Sequence, residues 1–173
     1  TYSHLAPQHA TRMCALDGLG LHAEAVDAAQ AVLRELDRLA PRLGENDQGQ
    51  ASWLRAAALE NLGVALGLTG QHDRALAAYS DAQAIHDEAG SDDDAARISC
   101  NRGVELVALG RPAEAVEALE EASARWAALG DHLGRDRSQI APSGRMAARA
   151  HHDVVDMVRR GVFDDRLCGI GAF

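Results

Sequence analysis

NLGVALGLTGQHDRALAAYSDAQAIHDEAG, residues 61–90, returns forty residues later as NRGVELVALGRPAEAVEALEEASARWAALG, residues 101–130. Ten positions are identical: Asn61/Asn101, Gly63/Gly103, Val64/Val104, Leu66/Leu106, Gly70/Gly110, Ala75/Ala115, Ala78/Ala118, Ala82/Ala122, Ala84/Ala124 and Gly90/Gly130. Agreement at a third of the positions is well above what an Ala-rich composition produces by chance. A fixed period of this size marks stacked repeats, each a supersecondary unit that needs a neighbour to bury its apolar face. Such stacks build binding surfaces rather than catalytic pockets. The repetition therefore points to a mode of action before it points to a partner.

Inside each copy the apolar residues recur at three and four. Leu59, Leu62 and Leu66 form one stripe; Leu76, Tyr79, Ala82 and Ile85 form another, as do Val116, Leu119, Ala122 and Trp126. That spacing places them on one side of a helix. No run rich in β-branched residues reads as a strand, so the fold expected is all-α. Gly18, Gly20, Pro41, Gly44, Gly49, Gly70, Gly90, Gly110, Gly130, Pro142 and Gly144 cut the chain into segments of helical length. The reading gives helices over 4–17, 21–39, 50–68, 72–89, 92–109, 112–129 and 144–160. Pro112 falls in a first turn, where its missing N–H costs nothing. Ser91 is placed to cap a helix whose first turn holds Asp92, Asp93 and Asp94, acids at the positive end of the macrodipole. A calcium loop is the rival for that run, but its oxygen spacing and terminal Glu are missing.

The 173 residues suffice for one ordinary domain or for three to four repeats. Hydrophobic residues make up 47% and aromatics 3%, so the interior must be built from Ala, Leu and Val. Net charge is −9, and all seventeen basic residues are Arg. Without Lys there is neither a phosphate-loop lysine nor a Schiff base within this sequence. Residues 1–130 hold twenty acids against ten Arg, whereas residues 131–173 hold six against seven. An acidic body argues against nucleic acid as a partner, because that needs a basic footprint. Cys14, Cys100 and Cys168 are distant and odd in number, which reads as reduced thiols in a cytoplasmic protein. No apolar run is long enough for a membrane span, and the first residues lack the pattern of a secretory signal. The chain has no initiator Met, so a piece of something longer is expected; processing of a short protein would look the same.

The residues resemble the tetratricopeptide repeat (TPR) family. Its signature of about 34 residues sets large residues, Gly and Ala at fixed offsets, and Leu59, Leu62, Gly63, Leu66, Gly70, Ala75, Tyr79 and Ala82 match all eight places. The next copy supplies Gly103, Leu106, Gly110, Ala115, Leu119 and Ala122, with Ser99 and Arg102 replacing the first two large residues. A degenerate earlier copy carries Leu16, Gly20, Ala25, Ala29 and Val32, with Met13 where Gly is expected. The forty-residue period and the lack of a Pro ending the second helix depart from the usual pattern. The longer period resembles that of copies in kinesin light chains and in large bacterial signalling and regulatory proteins. The Ala/Arg/Asp-rich, Lys-free composition suits a high-GC bacterial source. The resemblance implies a right-handed superhelix of antiparallel helix hairpins: three hairpins over residues 1–130, then a broken fourth repeat, a capping helix and a tail over 131–173. Ser143 would start the capping helix, whose apolar line is Met146, Ala150, Val154, Met157 and Val158. A basic helix for calmodulin or a membrane is its rival, weakened by the interspersed Asp.

By family offset, Glu60, Asn61, Val64 and Leu68 of one copy and Arg97, Cys100, Asn101, Val104 and Ala108 of the next line a concave binding groove. Asn61 and Asn101 would either hold a partner's backbone or tether helices. The implied function is a non-enzymatic scaffold for a peptide, a helix or a neighbouring domain of the same parent chain, with no cofactor, metal, nucleic acid or membrane. A ligand sensor using the same groove is the alternative. A metal- or Cys-dependent hydrolase is a more distant one. Gly18-Leu19-Gly20-Leu21-His22-Ala23 fits a loose dinucleotide pattern, but no strand precedes it; Gly169-Ile170-Gly171 has no helix after it. His152 and Asp156, with His151 and Asp153 beside them, supply too few ligands for a metal site. His22, His72 and His86 read as turn or surface residues. Cys14 and Cys100 read as small groove-lining hydrophobes, since only Arg97, one turn before Cys100, could lower a thiol pKa.

Overall fold

The computed structural model describes residues 19–133, which are helical with short connections. The expected helices at 4–17 and 144–160, Cys14, Cys168, His151, His152, Asp156 and the tail all lie outside the described residues. We number the helices α1 His22–Leu39, α2 Glu45–Leu68, α3 His72–Ala89, α4 Asp92–Ala108 and α5 Pro112–Leu133; a 3-10 turn, Ala40–Arg42, follows α1. The chain divides into two compact units at Ala89/Gly90. In the first unit α1 packs on α2 and α2 on α3; in the second, α4 packs on α5.

Each hairpin turns in the same way. Gly70 and Gly110 take φ of +76° and +69°, the left-handed region where a Cβ is penalised. Gly70 N–H donates to the Gly67 carbonyl at 2.9 Å, and Gln71 N–H to that of Leu66 at 2.8 Å. Gly110 N–H donates to Val107 at 2.9 Å and Arg111 N–H to Leu106 at 2.8 Å. This pair of bonds is a Schellman closure, and it satisfies carbonyls that the ending helix would leave bare. Sequence identity at Gly70/Gly110 thus becomes identity of geometry.

The close approach of the two helices is likewise fixed by glycine, but against a side chain rather than a bare backbone. A Cβ on Gly63 would come within 2.6 Å of Tyr79 Cε1; one on Gly103 would come within 2.8 Å of Leu119 Cγ. Tyr79 and Leu119 are each only 2% exposed. Around them Ala75, Ala78 and Ala82, or Ala115, Ala118 and Ala122, present small buried faces. The core is therefore one large plug per hairpin, set among alanines. Leu59, Leu62, Leu66 and Leu106 complete it. In α1 the stripe Ala25, Ala29, Val32 and Leu36 is buried.

Four expectations need correction. α2 begins at Glu45, not at residue 50, and runs through Gly49. Gly44, in extended backbone, starts it by accepting the N–H groups of Asp47 and Gln48, and a helix of this length absorbs the ~1 kcal/mol that one internal Gly costs. α5 likewise continues through Gly130 to Leu133. Ser91 makes no side-chain capping bond. His86 is buried at 5% exposure rather than lying on the surface.

Candidate interaction surface

On α2, residues 53, 57, 60, 61, 64 and 68 follow helical spacing and share one side of the helix. Trp53 is 56% exposed and Leu68 51%, at the two ends of that side. Ala57, Glu60, Asn61 and Val64 between them are half-buried. The Asn61 amide donates to the Ala57 carbonyl one turn back at 2.7 Å, so one amide donor is engaged within its own helix.

The matching side of α4 holds Arg97, Cys100, Asn101, Val104 and Ala108. Val104 is 38% exposed and Ala108 is exposed, while Arg97, Cys100 and Asn101 are half-buried. Arg97 Nη2 pairs with Asp94 Oδ1 at 2.7 Å. Burial lowers the Arg97 pKa. Cys100 packs with Val107 and Val116 against Leu119, and burial pushes its thiol up to about 12. A thiol held protonated at neutral pH is a small hydrophobe, not a nucleophile. Arg97 therefore does not activate it.

The acidic run Asp92-Asp93-Asp94 pins α4 rather than forming a ligand site. Asp92 lies 3.5 Å from Arg125 Nη1, Asp93 accepts the Trp126 indole N–H at 2.9 Å, and Asp94 holds Arg97. Among the described residues no group of three or more His, Cys, Asp or Glu side chains could hold a metal ion. No helix of the described residues is long and apolar enough to cross a membrane.

Trp53 is not among the residues that family offset places in the groove. The signal for it was present: it stands one turn before Ala57 on the same side as Glu60 and Val64. Family offsets, carried over from the signature's first place onward, stopped short of it.

A family model described as tetratricopeptide repeat matches residues 54–138. The match takes in the later part of α2 and all of α3, α4 and α5, and supports tetratricopeptide-repeat character for that stretch. Repeats of this family generally mediate protein–protein interaction and are typically non-enzymatic scaffolds. No curated protein and no solved structure matches the chain.

Proposed function

We propose that the chain is a non-catalytic interaction module that binds protein or peptide, each unit through the exposed side of its own first helix, α2 in one and α4 in the other. One observation carries the reading. Among the described side chains, the large hydrophobics exposed within helices are Trp53, Leu68 and Val104, all on the first helix of a hairpin. The second helices, α3 and α5, contribute none. Apolar surface left open on one kind of helix only is what a docking face requires.

The groove residues keep distinct roles in this proposal. Val64, Leu68, Val104 and Ala108 offer apolar contact; Glu60, Arg97 and the Asn61/Asn101 pair set register; Cys100 is a filler. The module would act as a regulatory segment of a larger bacterial cytoplasmic protein. Its Lys-free, Arg-rich composition and lone, separated cysteines support that setting.

Peptides selected from a random displayed library against the chain test the face. Val64→Arg is expected to weaken binders seated on α2 about tenfold, and Val104→Arg those seated on α4, by placing a charge in a desolvated contact. Ala84→Arg and Ala124→Arg, exposed on α3 and α5, should leave them unchanged. Binders that ignore the first pair and respond to the second would transfer the working surface to the other helices and end this reading.

A further inference from the structure

On α4, Cys100, Val104 and Val107 follow one another at steps of four and three residues and share one side of the helix. Val116 of α5 adjoins them. Cys100, Val107 and Val116 all pack against Leu119 and are half-buried, and Val104 between them is 38% exposed. The first copy has Glu60, Val64 and Gly67 at the three α4 places, a carboxylate and a missing side chain. The continuous apolar line belongs to the second copy.

The chain itself supplies an occupant. Trp126 donates its indole N–H to Asp93 at 2.9 Å, so the last turns of α5 lie beside the start of α4, ~10 Å of helix before Cys100. From Leu133 to Ser143 the chain reaches ~33 Å when extended, enough to bring Ser143 to any point on the line. The sequence then sets Met146, Ala150, Val154, Met157 and Val158 at helical spacing. As a helix that stretch would run ~18 Å, against ~10 Å from Cys100 to Val107. Charge favours the same pairing: residues 90–133 hold nine Asp and Glu against four Arg, whereas residues 134–160 hold three against six. A tethered segment acts at an effective concentration on the order of 1 mM, so a weak contact suffices to seat it.

We infer that residues 143–160 occupy the Cys100–Val104–Val107 side of α4 in cis, as an internal competitor that an outside partner must displace. The inference rests on the interaction-module reading and adds its regulation. A second copy offers the same segment without the tether, at a lower local concentration.

Two measurements on the whole chain test it. With Cys14→Ala, Cys100→Ala and Cys168→Ala as background, Val104→Cys paired with Val154→Cys should close an intramolecular disulfide on mild oxidation, seen as a faster-migrating monomer. Exposed Ala124→Cys paired with Val154→Cys should give about a tenth as much or less, since a disulfide forms only where the two Cα atoms come close. With the native cysteines, Val154→Asp plus Met157→Asp should tighten library-selected peptides that respond to Val104→Arg about tenfold, the gain expected if about nine chains in ten are self-occupied. Peptides that respond to Val64→Arg should be unmoved. Circular dichroism verifies that each variant keeps its helices. Disulfide-linked dimers without the closed monomer assign the line to a second copy and overturn the inference, as does equal closure of the Ala124 pair. Unchanged affinity in the double Asp variant overturns the competition even where the disulfide forms. If peptides respond to Val104→Arg while neither the disulfide nor the tightening appears, this inference fails and the module reading stands. If no selected peptide responds to Val104→Arg, the interaction reading of α4 fails, and the disulfide alone decides where the segment sits.

Discussion

In the α2/α3 hairpin the hollow over Gly63 holds the ring of Tyr79; in the α4/α5 hairpin the hollow over Gly103 holds Leu119. A second exchange sits one turn earlier on the first helices. Ala58 and Leu59 of the first copy correspond to Ile98 and Ser99 of the second, and all four are buried. The bulk has moved by one residue. The Ser99 hydroxyl, fully buried, donates to the Ala95 carbonyl at 3.1 Å, which removes the penalty of an unpaired polar group. Backbone-defining positions stay identical between the copies, then, while volume is exchanged among neighbours. Repetition here is conserved as geometry and only loosely as side chains.

The deepest way to break this comparison is to remove the plugs. Tyr79→Ala should cost ~3–5 kcal/mol and Leu119→Ala ~2–5 kcal/mol, read from urea denaturation. If either change were near neutral, the one-plug description of that hairpin would be wrong. Next in size are the glycines beneath them. Gly63→Ala forces a methyl into a rigid ring and should lose ~1–3 kcal/mol, whereas the Leu119 side chain opposite Gly103 has rotamers to give, so Gly103→Ala should sit at the lower end. A double-mutant cycle of Gly63→Ala with Tyr79→Ala should show the penalty vanish when the ring is gone.

The shifted bulk can be sharpened by transplanting it. Ser99→Leu alone overpacks by ~1–3 kcal/mol, but the pair Ile98→Ala with Ser99→Leu restores the arrangement of the first copy and should cost under ~1.5 kcal/mol. Smaller still is the contrast between Gly90 and Gly130, identical in sequence. Gly90 has φ of +68°, so Gly90→Ala should lose ~1–2 kcal/mol. Gly130 lies within α5, so Gly130→Ala should gain ~0.5–1 kcal/mol. The position Glu60/Cys100 gives a chemical contrast. Burial raises the Cys100 pKa from 9.0 to about 12, so the fold favours the neutral thiol. Its contribution to stability is whole below pH 9 and declines as pH rises toward 12. With Cys14 and Cys168 changed to Ser, alkylation at pH 8 should be slower in the folded chain than in urea, because little of the Cys100 thiol is ionised.

Much of this is legible in the sequence. The limits of α3, and the start of α4, were read correctly because a Gly in the left-handed region, followed by capping-type or acidic residues, is a local signal. Gly49 and Gly130 misled for the converse reason: a glycine's letter does not state its φ, and tertiary packing can carry a helix across one. His86 was misplaced because a polar residue type outweighed its position on the stripe one turn after Ala82. Cys100 was read as a filler because nothing near it in sequence except Arg97 could stabilise a thiolate. Trp53 precedes the signature's first place, so the signature does not reach it, whereas helical spacing from Ala57 and Glu60 does. The exchange at 58/59 and 98/99 could be seen as letters but not understood, since only burial shows that both members of each pair face inward.

That exchange has a practical consequence for anyone building an idealised array from these copies. Averaging column by column would draw Leu from one copy and Ile from the other, crowding adjacent sites, or else Ala and Ser, hollowing them. The two columns share one packing volume, and an engineer must transfer them together.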